Sequence, residues 1–225
     1  MKLGRTILWH LVFSAALLAA TYFWVRRDST MLDGRLFGIS TTSWLVLALA
    51  VPIVHQLYVL VIWRLELYGH RISSKYGPKG FYYYKAGFTV LILSRIVTIT
   101  LLAFSNKNTL PMDPGLAYAL AGLLFVPGAY TMYSVKKYFG MDRAFGIDHF
   151  KPNEFRNKSF VKGGIFKYTS NGMYIYGFLL LYVPGLLLLS KAALMVALFN
   201  HLAIWIHYYF TELPDIKYIY SANNP

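Results

Sequence analysis

Six apolar segments, each close to the length needed to cross a membrane, dominate this sequence of 225 residues. They are separated by polar connections and cover residues 6–25, 42–63, 86–105, 115–133, 173–189 and 192–210. About 20 residues of helix span the ~30 Å hydrocarbon layer of a bilayer. Because a helix also satisfies its own backbone hydrogen bonds there, the sequence predicts an all-α protein, a polytopic membrane bundle of about six helices.

The last two segments form one nearly continuous apolar run from Met173 to Phe210. At ~1.5 Å per residue, such a helix would be nearly twice as long as the bilayer core is thick. The run is therefore predicted to fold back as a helical hairpin, with its turn at Ser190-Lys191, the only charged interruption. Pro184-Gly185 could instead kink or break the first arm.

The first segment has the basic start of a signal peptide, with Lys2 and Arg5 before the apolar stretch. The apolar stretch continues past Ala19-Ala20 to Arg26 and Arg27, which is too long for a cleaved leader. We therefore expect an uncleaved first span.

The charged residues indicate how the bundle is oriented. Lys and Arg number 22 against nine Asp and Glu, a net charge of +13, but they lie between the apolar segments, so a nucleic acid partner is not predicted. With the N-terminus inside, the inner segments hold 16 of the basic residues, the outer segments hold five, and Arg95 lies within a span. Positive residues are retained in the cytoplasm, so both termini are predicted to be cytoplasmic.

The longest connection, 134–172, is polar, basic and too long for a bare connector. It is the predicted cytoplasmic functional loop of a single membrane domain that covers residues 1–225. The sequence contains no cysteine, which excludes disulfides and thiolate chemistry. It also contains no paired-histidine motif on one helix turn, so no metal site is predicted.

Polar residues recur along one side of the last helix. At 100° per residue they fall into two clusters, which are Asn200, His207 and Thr211, and His201, Tyr208 and Glu212. Such a side is costly in lipid, so we expect it to face the bundle interior or a water-filled cleft. The alternative is that the two histidines and Asn200 only join helices through hydrogen bonds.

Arg95 lies midway along the third segment, where its insertion costs about 2.5–3.5 kcal/mol. None of the nine acidic residues lies deep inside a predicted span. Backbone carbonyls, water in a cleft or an anionic ligand group could each serve as partner, and we predict an anionic group of a bound acceptor, such as a lipid phosphate. The alternative is that Arg95 snorkels towards the interface.

The segment from Gly163 to Gly177 leads into the fifth apolar run and reads Gly-Gly-Ile-Phe-Lys-Tyr-Thr-Ser-Asn-Gly-Met-Tyr-Ile-Tyr-Gly. Its Gly-aromatic-basic-aromatic lead into Ser-Asn-x-Met-Tyr resembles the signature of integral-membrane methyltransferases that methylate phosphatidylethanolamine. The related isoprenylcysteine carboxyl methyltransferases usually have Arg-His-Pro-x-Tyr there. Both families follow this element with a hydrophobic helical hairpin and an acidic pair. The hairpin corresponds to 173–210 and the acidic element to Thr211-Glu212.

This resemblance covers roughly residues 134–220, with three departures from the family patterns. Asn171 replaces the histidine of the isoprenylcysteine enzymes, Gly172 replaces the usual proline, and Thr211 replaces the first acid of the pair. Sterol reductases also carry an Arg-His-Pro-Asn-Tyr-like element before a terminal helix. An NADPH-dependent membrane reductase and a non-enzymatic membrane scaffold therefore remain alternative functions.

The resemblance implies S-adenosylmethionine as cofactor and a lipophilic methyl acceptor, most simply a phospholipid amine. The cofactor is expected to enter from the cytoplasm near 134–172, and the acceptor laterally from the bilayer. Segment 173–220 then forms the hairpin and the C-terminal cofactor element. The residues expected to bind the cofactor are Tyr168, Asn171, Tyr174, Tyr176 and Glu212. The expected catalytic residues are Arg95, together with His149 or His207 as the base for a protonated amine.

Overall fold

The computed structural model describes residues 3–220, so Lys2, counted above among the inner charges, lies outside the described residues. Within this range the chain is almost entirely helical. The α-helices are α1 (Leu3–Arg27), α2 (Thr41–Leu67), α3 (Arg71–Tyr76), α4 (Lys79–Ser105), α5 (Pro114–Ser134), α6 (Met141–Ala144), α7 (Pro152–Phe155), α8 (Gly172–Ile175), α9 (Val183–Leu187), α10 (Lys191–His207) and α11 (Leu213–Ile219).

Shorter elements join and interrupt these helices. The 3-10 turns cover Ser29–Leu32, Ile147–His149, Gly164–Lys167 and Gly177–Tyr182. Two π-helical turns cover Val135–Phe139 and Tyr208–Glu212. The strands β1 (Arg35–Leu36) and β2 (Ile39–Ser40) form a small antiparallel hairpin between α1 and α2.

Between residues 3 and 220, five helical stretches are long and apolar enough to cross a membrane, and they confirm the prediction of an all-α membrane bundle. They cover Gly4–Arg27, Thr41–Leu67, Lys79–Ser105, Pro114–Phe139 and Lys191–Ile219. Large apolar side chains such as Phe23, Leu123 and Val126 are exposed on their outer surfaces. Such surfaces suit contact with lipid, because the hydrocarbon chains are as apolar as the side chains.

The predicted span 173–189 does not form one continuous helix. The described chain instead has α8, a 3-10 turn and α9 over 172–187. Pro184 at the start of α9 has no backbone N–H to donate, and it separates the two conformations.

The predicted turn at Ser190 lies at the far end of this segment. The backbone amides of Asn108 and Leu110, in the connection between α4 and α5, donate to the carbonyls of Leu188 and Leu189 at 3.0 and 2.8 Å. The Ser190 hydroxyl then accepts a hydrogen bond from the first turn of α10 and caps that helix. The segment therefore reaches the opposite end of the bundle, and α10 returns from there as the second arm of the hairpin.

Helix α10 lies at the centre of the bundle and contacts α1, α2 and α4. Small residues such as Ala192, Ala193 and Ala197 are fully buried along it, which lets the neighbouring helices approach closely. Its polar side is buried too, since Asn200 and His207 are 0% and 4% exposed. This confirms the expectation that the polar side of the last helix faces inwards.

Both ends of the described chain lie at the same end of the bundle, because His10 Nδ1 of α1 lies 2.9 Å from Thr211 Oγ1. We expect this end to be cytoplasmic. Single cysteines at the exposed positions Lys107 and Asn157 can be probed with an impermeant thiol reagent in intact cells, against the cysteine-free background. Labelling is expected at position 107 and not at 157, whereas the reverse pattern would overturn the topology.

Candidate active site

A buried ion pair joins α2 to α11 at this end of the bundle. The Arg64 guanidinium pairs with the Asp215 carboxylate, and it also donates to the backbone carbonyls of Phe210 and Thr211 at 3.3 Å. The Tyr68 hydroxyl donates to the same carboxylate at 2.9 Å. Arg64 therefore binds both the acid of α11 and the backbone of the π-helical turn before it.

The π-helical turn Tyr208–Glu212 changes the side-chain directions at the end of α10. A turn of this kind is wider than an α-helical turn, and such turns occur often at functional sites. Thr211 is directed to His10 of α1, while Glu212 faces the space between α10 and the loop before α8. The Tyr174 hydroxyl of α8 donates a hydrogen bond to the Glu212 carboxylate.

His149 lies in a 3-10 turn of the 134–172 loop and is held between two acids. Its Nδ1 is 3.0 Å from Asp148 Oδ1, and its Nε2 is 3.4 Å from Asp215 Oδ2. The ring stacks on the indole of Trp63, with the centroids 3.7 Å apart. His149 therefore connects the loop to both α2 and α11.

The surroundings of His149 favour its charged form. Burial alone opposes the charge, but the hydrogen bonds and negative charges of Asp148 and Asp215 outweigh it and raise the pKa of His149 to about 9. An imidazolium has no free lone pair with which to take a proton. At neutral pH the structure therefore favours a charge-bearing role for His149 over the predicted role of general base.

This raised pKa predicts a pH-dependent stability. The stabilisation is complete below the unfolded-state pKa of about 6.5 and is lost as the pH rises through about 9. In detergent, the midpoint of thermal unfolding should fall as the pH is raised from 6 to 10. The corresponding decrease in the free energy of unfolding should be about 3 kcal/mol in total.

The slope of this midpoint against pH should be smaller in His149→Gln. The exposed His70 provides the control, since His70→Asn should keep the wild-type slope. Equal slopes in wild type and His149→Gln would show that His149 is not the titrating group.

A cavity of about 320 Å³, called the polar cavity below, lies between the loop and the end of the last helix. Both acidic and basic side chains line it beside aromatic rings. Its lining residues are Trp63, Phe139, Arg143, Ala144, Gly146, Asp148, His149, Phe160, Ser170, Asn171, Met173, Tyr174, Tyr208, Glu212, Leu213, Ile216 and Tyr220.

A second cavity of about 420 Å³, called the apolar cavity, lies among α2, α4, the end of α5, α8 and α10. Apolar side chains form most of its wall, and His55, Gln56, Arg95 and His207 are among its polar residues. Leu93, Ile96 and Met132 also line it and are about half exposed on the outer surface of the bundle. The cavity is thus bordered by the surface that would face lipid.

Five residues line both cavities and are called the shared wall. They are Trp63, Ala144, Met173, Tyr174 and Glu212. The hydrogen-bonded pair Tyr174–Glu212 is the polar part of this wall. A polar ligand and a lipophilic ligand in the two cavities would therefore meet at Glu212.

The structure places six of the eight predicted site residues at these cavities. In the polar cavity are His149, Asn171, Tyr174 and Glu212, and in the apolar cavity are Arg95, His207 and again Tyr174 and Glu212. Arg95 is 2% exposed and does not snorkel.

The other two predicted residues, Tyr168 and Tyr176, do not line either cavity. Tyr168 is 76% exposed at the end of a 3-10 turn. Tyr176 packs against the cluster of Val135, Ile165 and Phe166. Of the three tyrosines in this motif, Tyr174 alone lines the two cavities, so the stacking of Tyr168 and Tyr176 on the cofactor gains no support from the cavities and stays a prediction.

Several site residues escaped the sequence analysis. Arg64 and Trp63 both lie in the last turns of α2, and no motif in the sequence marks either of them as a site residue. Asp215 follows Glu212 by three residues, and that spacing on a helix is the signal that could have indicated a second inward acid. Asp148 directly precedes His149, a pairing that the sequence alone did not single out.

The bundle has a polar cavity and a lipid-bordering apolar cavity on either side of one wall, so a polar and a lipophilic ligand would fit side by side. The family model described as phospholipid methyltransferase matches residues 116–223, just under half of the chain, so this part of the chain is similar to that family. The match confirms the resemblance seen around 163–177, and it supports methyl transfer to a membrane lipid in general. Comparison with curated proteins and with solved structures gives no match.

Proposed function

We propose that this protein transfers a methyl group from S-adenosylmethionine to the amine of a phospholipid at the shared wall. The observation that carries this proposal is that Glu212 and Tyr174 line both the polar and the apolar cavity. A two-substrate reaction of this kind depends on holding the reacting groups side by side, and the shared wall is where they would meet.

The side chains of the polar cavity fit such a cofactor, which would supply an electrophilic methyl group on a cationic sulfonium. The Glu212 carboxylate can accept hydrogen bonds from ribose hydroxyls or an ammonium group, and Asn171 can pair with polar edges. The rings of Tyr174 and Tyr208 offer faces to a cation. The Arg143 guanidinium lines the same cavity and suits a carboxylate.

The apolar cavity fits the acceptor lipid and also holds a candidate proton acceptor. A phospholipid ammonium must lose a proton before its nitrogen can attack. His207 is 4% exposed and lines this cavity, and its Nδ1 has no hydrogen-bond partner among residues 3–220. We assign the proton acceptance to His207, because the two acids beside His149 favour the charged form of that ring.

Ligand-induced thermal shift on the purified protein tests the cofactor class. S-adenosylhomocysteine should raise the unfolding midpoint in a concentration-dependent way, since a ligand that binds only the folded state stabilises it. NADPH should leave the midpoint unchanged. A shift with NADPH alone would favour the reductase alternative, and no shift with either ligand would favour the scaffold.

A further inference from the structure

The apolar cavity contains a cluster of buried polar side chains that the methyl transfer itself does not use. His55 and Gln56 of α2 are 3% and 5% exposed, and Arg95 of α4 is 2% exposed. All three line the cavity, and His55 and Gln56 precede Trp63 of the shared wall by about two turns of α2. We call these three residues the deep donor cluster.

The deep donor cluster has few partners among residues 3–220. Both ring nitrogens of His55, Nε2 of Gln56 and Nε of Arg95 have no hydrogen-bond partner there. The other Arg95 nitrogens donate to Asn200 Oδ1 and the Pro52 carbonyl, both at the long distance of 3.4 Å, and the guanidinium lies 6.0 Å from the ring centre of Phe178. Burying a polar or charged group lowers the stability of a protein unless a hydrogen-bond partner or an opposite charge pairs with it.

The chemistry of these atoms defines what would pair with them. The guanidinium of Arg95 and the amide nitrogen of Gln56 only donate hydrogen bonds, and a neutral His55 has one donor. No carboxylate within the described range forms an ion pair with Arg95. The matching ligand group therefore carries acceptor oxygens and lies within an otherwise apolar molecule.

The distance between the deep donor cluster and the shared wall limits which oxygen-bearing group of the ligand could bind the cluster. Arg95 contacts Asn200, which precedes His207 by two turns of α10. Two turns advance roughly 11 Å along the axis of an α-helix. The His207 ring lies 5.7 Å from the ring of Trp63 in the shared wall. Acceptor oxygens at Arg95 would thus lie about two helical turns from the position of the methylated atom.

Covalent geometry of a phospholipid amine places two kinds of oxygen at different distances from its nitrogen. An extended chain advances about 1.2 Å per bond. Four bonds separate the amine nitrogen from the phosphorus, or about 5 Å, whereas nine or ten bonds, about 11–12 Å, separate it from the two ester carbonyl carbons. The ester carbonyls match this roughly 11 Å separation more closely than the phosphate that the sequence suggested for Arg95.

We propose that the deep donor cluster binds the ester carbonyl oxygens of the acceptor, so that the protein selects ester-linked diacyl glycerophospholipids. This selectivity rests on the proposed methyl transfer. Phosphate oxygens would then lie nearer His207, between the cluster and the shared wall.

Methylation of two lipids that differ only in their linkages tests this selectivity. Diester and diether phosphatidylethanolamine of equal chain length are presented in otherwise identical nanodiscs with labelled S-adenosylmethionine. The wild type is expected to favour the diester roughly 10- to 100-fold in kcat/KM, as for the loss of a charge-assisted hydrogen bond. In Arg95→Met the ratio should fall towards one, mainly through slower methylation of the diester.

Two further variants complete this experiment. Ser94→Ala is the matched control, because Ser94 adjoins Arg95 but lines neither cavity and donates to the Val90 carbonyl. Its ratio should equal that of wild type. Gln56→Leu should lower the ratio of diester to diether kcat/KM by a smaller factor. This variant is the test of the ester site if Arg95→Met does not bind S-adenosylhomocysteine and is therefore not correctly folded.

The possible failures are distinguishable. Equal use of diester and diether by the wild type would overturn the ester site and leave methyl transfer intact, as would an unchanged preference in a folded Arg95→Met protein. Absence of methylation of every lipid would overturn the proposed function and the ester site together.

Discussion

Glu212→Gln is expected to weaken the binding of S-adenosylhomocysteine by roughly 10- to 150-fold, which corresponds to the loss of one charge-assisted hydrogen bond. The carboxylate lines both cavities, and the Tyr174 hydroxyl donates to it. Glutamine keeps the shape of the side chain and an acceptor oxygen for Tyr174. The variant should therefore unfold at nearly the wild-type temperature.

Calorimetric titration of the folded proteins with S-adenosylhomocysteine measures this effect. Glu154→Gln is the matched control, since Glu154 is exposed, lines neither cavity and pairs with Lys151 at 3.0 Å. Its affinity should equal that of wild type. An unchanged affinity in Glu212→Gln would remove Glu212 from the site.

Asp215→Ala is expected to lower the free energy of unfolding by about 3–5 kcal/mol, as for other buried ion pairs from which one partner is removed. Asp215 is 0% exposed and pairs with Arg64, Tyr68 and His149. Alanine would leave the guanidinium of Arg64 buried without its counter-charge. The loss should therefore exceed what the missing contacts alone would cause.

Equilibrium unfolding in detergent, followed by circular dichroism, measures this loss. Asp142→Ala breaks the exposed ion pair with Lys85 and should cost less than about 1 kcal/mol. The double variant Arg64→Met/Asp215→Leu should regain much of the stability, because it removes both buried charges. A cost for Asp215→Ala as small as that for Asp142→Ala would show that the pair does not stabilise the bundle.

The membrane helices could be predicted from the sequence because the thickness of a bilayer fixes how many apolar residues a span needs. The same argument located the turn at Ser190, since a run twice that length has to fold back. This length argument did not predict the structure of 173–189, because length and hydropathy do not distinguish one α-helix from a series of shorter α-helical and 3-10 segments. Pro184 and Gly185 carried the signal for that break.

The candidate site was predicted in part for a related reason. The inward direction of Asn200 and His207 followed from regular helix geometry, which holds as far as α10. Beyond it, the π-helical turn changes the spacing, so the positions of Thr211 and Glu212 in the site depend on backbone geometry that residue counting does not reveal. The pairing of Arg64 with Asp215 joins residues 151 positions apart, and no local pattern indicates such a contact.

The two tyrosines that do not line the cavities illustrate a further limit. Tyr168, Tyr174 and Tyr176 share one motif, yet only Tyr174 lies in the shared wall. Short 3-10 and α-helical turns alternate through this region, so closeness along the chain does not imply a common face. A family motif can thus locate a site without identifying each residue that contacts the ligand.

Incubation of the purified protein with methyl-labelled S-adenosylmethionine and a total lipid extract tests the central claim most directly. The lipids are then separated, and the labelled species are identified by mass. The predicted result is label in methylated derivatives of a phospholipid amine, at a rate reduced in Glu212→Gln and unchanged in Glu154→Gln. Absence of label from every lipid, in a protein that binds S-adenosylhomocysteine, would contradict the assignment of a lipid methyl acceptor to the apolar cavity.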